Sequence, residues 1–144
     1  MGHSRRSHIV IAGLVLLHQL ISMFWYSPFL FGYHWINASG FRLSQLPPYN
    51  ETAFYWPFVF SIIASVLLCY AMTFLYIRFK VTGAVAGVKW GFVIWFVFVF
   101  LNLLTHNQFA QRPVSLSLID GGRDFIIFTL SGLVISTLIV RKNI

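Results

Sequence analysis

The chain has 144 residues, of which 58% are hydrophobic, 19% aromatic and only 9% charged. A soluble domain carries about 25% charged residues, so an ordinary water-facing surface is excluded and most of this chain must meet lipid. The net charge of +7 comes from basic residues in pairs near the ends of apolar runs. No basic face exists to lie along phosphates, which argues against nucleic acid as a partner.

A bilayer core about 30 Å thick needs roughly 20 apolar residues per helix, and runs of that size predict an all-α fold. The expected architecture is a single transmembrane domain, residues 1–144, forming a four-helix bundle with helices at about 9–31, 54–79, 83–105 and 116–140. Lipid leaves no backbone group unpaired, so the runs must be helical. Segments such as Phe92 to Leu101 lack the alternation of a β-barrel.

Helix 1 lies in the charge-free stretch between Arg6 and Arg42. It is too long for a cleaved leader and runs into bulky Trp25, Tyr26 and Pro28. His18 falls near its middle beside Gln19, with Ser22 one turn on. An ionisable group at that depth is by default a functional hypothesis, against which stands a neutral imidazole bonded to a neighbouring helix. No other histidine matches its depth, so haem held by two histidines is not expected. Trp25 and Tyr26 suit an aromatic belt, Pro28 ends or kinks the helix, and Gly32 permits a turn.

Helix 2 offers Ser61, Ala64 and Ser65 for packing and holds Cys69, the single cysteine, near its middle. An internal disulfide is therefore excluded. In helix 3, Gly83, Gly87 and Gly91 are spaced four apart, the flat stripe on which membrane helices approach closely. Helical steps continue that face through Trp95 and Phe98 to Asn102 and His106, while Lys89 falls opposite and can extend back to the head groups. The uncharged part of helix 4, Phe125 to Val140, spans only about 24 Å at 1.5 Å per residue. The helix must then extend back through Asp120, Arg123 and Asp124, with Arg123 three residues from Asp120 and able to pair with it. Gly132 belongs to a small-residue set on this helix with Gly122, Thr129 and Ser136.

Orientation follows from counting cations. Arg5, Arg6, Arg78, Lys80, Arg141 and Lys142 share one side, against Arg42, Arg112 and Arg123 on the other, which also carries all three acids. The positive-inside bias places both termini in the cytoplasm.

The block Trp25-Tyr26-Ser27-Pro28, followed by Phe31-Gly32 and Trp35, resembles the signature of a bacterial membrane family known as domain of unknown function 1761. Gly87-Val88-Lys89-Trp90-Gly91, the residues Asn107, Phe109 and Arg112, and Ile119-Asp120 with Gly122 extend the resemblance over most of the chain. Two features depart from it: Ser22 stands where a glycine is expected, and Asp120, Arg123 and Asp124 make the start of helix 4 unusually charged. The resemblance implies a four-helix protein of the bacterial inner membrane and no particular activity.

The small-residue stripes and aromatic load point to a non-catalytic protein acting as a homo-oligomer or as an accessory subunit of a membrane complex, with the bilayer and other membrane subunits as partners. The alternative is a small transporter or channel for a proton, ion or small solute. Its polar pathway would use His18, Gln19, Ser22, Asn102, His106, Asp120, Arg123 and Asp124. An enzyme acting on a lipid or quinone ranks last, since no nucleophile and base are paired. No fixed ligand spacing points to a metal or other cofactor.

Overall fold

The computed structural model describes residues 2–140, so Arg141 and Lys142 of the cation count lie outside the described residues. All regular structure in the described residues is helical: α1 (Gly2–Trp25), α2 (Gly32–Ser39), α3 (Trp56–Arg78), α4 (Ala84–Ile94), α5 (Leu101–Phe109) and α6 (Val114–Val134). A π-helical stretch, Trp95–Phe100, joins α4 to α5, and another, Ile135–Ile139, extends α6. Among the described residues, four helices are long and apolar enough to cross a membrane: Arg5–Trp25, Thr52–Arg78, Ala84–Phe109 and Val114–Ile139. They form an antiparallel bundle whose exposed surface is crowded with large apolar side chains, among them Leu16, Phe60, Phe74 and Val85, the pattern expected of a membrane protein. Residues 26–55 and 110–113 form its distal end, and the N-terminus starts the proximal end.

Helix α1 stops at Trp25 instead of continuing to Phe31. Pro28 has no N–H to give to the helix, and the chain closes a compact turn instead. The Phe31 N–H donates to the Trp25 carbonyl (3.0 Å) and the Gly32 N–H to the Ser27 carbonyl (3.0 Å). Gly32 is required there, because an added Cβ would lie 2.5 Å from the Tyr26 carbonyl oxygen. The chain then forms the short helix α2, and Gly40 ends it with φ at +67°, a conformation that favours glycine.

The bundle's closest contact is α4 against α6. Gly87 and Gly91 are buried on that seam, Gly87 against Gly132 and Gly91 against Phe128. A Cβ on Gly91 would sit 2.5 Å from the Phe128 carbonyl oxygen, and one on Gly87 would collide with the Gly132 carbonyl and Ser136. Such proximity lets dispersion and polar contacts hold helices together in lipid. Tyr76 from α3 adds a hydrogen bond to the Gly87 carbonyl (2.8 Å), and the Ser136 hydroxyl donates to the Gly83 carbonyl (3.0 Å). Gly83 itself precedes α4 with φ at +89°, so it serves a turn rather than a helical stripe.

The π-helical stretch changes which face is buried. The Leu101 N–H reaches back five residues to the Phe96 carbonyl, inserting one extra residue into the turn. The buried face therefore passes from Trp95 to Asn107, displacing the expected Asn102 and His106, both of which are exposed. Asn107 donates to the Ser117 hydroxyl (2.9 Å), tying α5 to α6. In the proximal half, Ile11, Leu14, Cys69, Met72, Tyr76, Ile135 and Ile139 form a dry core.

Candidate intramembrane site

The turn after α1 aims two aromatic side chains at α6. The Trp25 indole donates to the Ile119 carbonyl (2.9 Å), and the Tyr26 hydroxyl donates to the Asp120 carboxylate (2.6 Å). Trp95 completes the clamp from the third span by donating to the Gly121 carbonyl (2.9 Å). The Gly121-Gly122 pair is what admits these rings: a Cβ on Gly121 would lie 2.6 Å from the Phe100 ring, and one on Gly122 3.0 Å from Trp25. Ser27 and Pro28 shape the turn, with the Ser27 hydroxyl capping the Phe24 carbonyl (2.7 Å). The block from Trp25 to Gly32 is thus a lock between the first and fourth spans.

With Asp120 engaged by Tyr26, Arg123 turns to its neighbour instead. Its Nη2 and Nε donate to one Asp124 oxygen at 2.5 and 2.9 Å. This differs from the Asp120 pairing that helical spacing alone allows. The guanidinium also sits 5.6 Å from the centre of the Tyr26 ring, an attraction between cation and aromatic face. Arg123 is nine residues into the fourth span, about 13 Å along the helix, so the ion pair lies within the span.

A cavity of about 430 Å³ opens beside this pair, with α1, α3 and α6 as walls. Its polar lining is His18, Ser22, Ser61, Ser65, Arg123 and Asp124; Phe60, Leu68 and Ile127 are among its apolar residues. The space exists because α3 and α6 diverge here and touch at few points. Next to it the Gln19 amide bridges α1 to α3, donating to Ser65 (3.0 Å) and accepting from Ser61 (3.0 Å). His18 is at the deep end, only 1% exposed. Its Nε2 shares a hydrogen bond with the Ser131 hydroxyl (2.8 Å), while its buried Nδ1 has no partner. Buried polar atoms are nearly always paired, and an exception calls for a reason.

The structure therefore divides the expected polar pathway. His18, Ser22, Arg123 and Asp124 line one cavity, Gln19 braces its wall, and Asp120 helps lock the distal turn. Asn102 does not join them: it is exposed and donates to the Phe98 carbonyl of its own helix (2.9 Å). His106 is exposed at the end of α5. Asn107 was missed as a buried polar residue because its face depends on the π-helical turn, which no spacing rule in the sequence marks. Among the described residues, no three His, Cys, Asp or Glu side chains gather as a metal-binding group.

The Tyr26–Asp120 contact permits a direct measurement. Tyr26→Phe and Asp120→Ala each remove the phenol–carboxylate bond, and a double-variant cycle in detergent unfolding should return a coupling of about 1.5–3 kcal/mol, the range of a hydrogen bond to a charged group. Additive effects would mean that the two side chains act independently.

No curated protein and no solved structure matches the chain. Residues 9–136 match the family described as "Protein of unknown function (DUF1761)". That stretch takes in the Trp25–Gly32 lock, the glycine seam and the cavity-lining residues, and the chain belongs to this family.

Proposed function

We propose that this chain is a non-catalytic, multi-pass protein of the bacterial inner membrane with both termini in the cytoplasm, and that it binds and transports a small molecule through the cavity between α1, α3 and α6. The observation that carries the reading is the position of His18 at the deep end of the cavity that the Arg123–Asp124 pair also lines. Polar and ionisable groups within a span are unfavourable in hydrocarbon and mark pathways or sites. Orientation is supported by the excess of Arg and Lys at the proximal end, which makes the cavity face the outer half of the bilayer. Below His18 the dry core closes the path, as a carrier in one of its conformations requires and an open channel does not.

A homo-oligomer held by the glycine stripe loses its main support, because Gly87, Gly91 and Gly132 are spent on contacts inside the protomer. The transport reading is tested by reconstitution. Proteoliposomes should show flux above protein-free vesicles for a member of a small-molecule panel, and His18→Leu should cut that flux at least tenfold. Equal flux in wild type and His18→Leu overturns the reading.

A further inference from the structure

We infer that the occupant of the cavity is an uncharged amphiphile, with a hydroxyl or carbonyl head and an apolar tail, that enters from the surrounding bilayer. This inference rests on the reading of the cavity as the working site and names the class of molecule it takes. The first argument is charge. Among the described residues, the only charged groups lining the cavity are Arg123 and Asp124, and they are bonded to each other. No unpaired formal charge is left to balance an ion, and an ion brought into a span without a counter-charge is strongly disfavoured.

The second argument is the character of the walls. Hydroxyls of Ser22, Ser61 and Ser65 and the His18 ring alternate with Phe60, Leu68 and Ile127. The Ser61 hydroxyl donates to the Gln19 amide and keeps its acceptor capacity, Ser65 accepts from that amide and keeps its donor, and a hydroxyl carries no formal charge, so together with Ser22 they suit a neutral head and have no preference for an anion or a cation. The buried Nδ1 of His18 lacks any partner in the protein, a hydrogen-bonding capacity that the fold does not use. The apolar residues give a purely hydrophilic solute nothing in return for leaving water, whereas a tail gains burial.

The third argument is access. The space lies where α3 diverges from α6, and Phe60 on its wall is 62% exposed on the surface that meets lipid. At Phe60 the rim of the cavity is thus apolar and exposed, and a tail can leave the cavity there. A cavity of about 430 Å³ accommodates a head and the first part of a chain, and the rest of the tail remains in lipid through the same opening.

Three diazirine probes applied to the full chain in nanodiscs separate the possibilities: a 12-carbon alcohol, the 12-carbon carboxylate with the same tail at pH 8, and a short diol without a tail. The alcohol should label peptides containing His18 and Phe60 to Leu68 at least fivefold more than either other probe. Ala64→Phe, which fills the cavity, should remove that labelling, as should the independent filling variant Leu68→Trp, while the size-conserving Ala64→Ser should keep it. Labelling by the carboxylate that both filling variants abolish would overturn the neutral class and leave the site standing. The diol in that role would overturn the need for a tail. Labelling by all probes that neither filling variant changes would overturn the cavity as the site itself.

Discussion

Arg123→Met is expected to destabilise the folded protein by roughly 2–4 kcal/mol, and Arg123→Met combined with Asp124→Leu to recover most of that loss. The single change leaves the Asp124 carboxylate within the span with no cation, and removing one member of a buried pair is far more harmful than removing both. The figure is set below the roughly 3–5 kcal/mol of a fully enclosed pair, because the two side chains keep 29% and 17% of their exposure. Met also keeps the apolar bulk of the arginine stem, while the guanidinium's contact with the Tyr26 ring is lost. Thermal unfolding in a mild detergent, followed by helical circular dichroism, measures both variants. A double variant no more stable than the single would show that the guanidinium acts through Tyr26 and the cavity wall and not through its charge.

What could be read from the residues, and what could not, follows from the range of each force. Apolar runs are local and long, so the four spans were legible, and so was the burial of Gly87 and Gly91 on a face opposite Lys89. The end of α1 was only partly legible: Pro28 announced a break, but the helix ended three residues earlier because the turn through Tyr26 and Ser27 satisfies its own backbone. The π-helical turn was not legible at all. Nothing in Trp95–Phe100 distinguishes one extra residue per turn from ordinary helix, yet that residue moves the buried polar position from His106 to Asn107. The ion pair was not legible for a related reason. Spacing within α6 made Asp120 available to Arg123, but Tyr26, 94 residues away in the chain, takes that carboxylate. Three elements and a divergence between α3 and α6 make the cavity; His18, Ser22, Arg123 and Asp124 were legible as a polar pathway, whereas Ser61 and Ser65 read as packing residues because their place on the wall depends on how α3 meets α1 and α6.

The second large effect is expected at Gly87, where the replacement separates a seam inside the protomer from one between protomers. Gly87→Leu forces a branched side chain against the Gly132 carbonyl and Ser136. A backbone carbonyl cannot rotate away as a side chain can, so α4 and α6 must part, and the Tyr76 bond to the Gly87 carbonyl is strained with them. Overpacking of a tight contact destabilises by about 1–3 kcal/mol in ordinary cores. The value here should reach about 3 kcal/mol or more, since close approach is the main source of helix association in lipid. Gly13 is the internal control. A Cβ there meets nothing within 4 Å, so Gly13→Leu should shift stability by no more than about 0.5 kcal/mol, as for an open surface position. An internal seam predicts that Gly87→Leu lowers the unfolding temperature of the monomer. A seam between copies predicts an unchanged unfolding temperature with a smaller particle by light scattering, and that result would return the glycine stripe to the role of an oligomer contact.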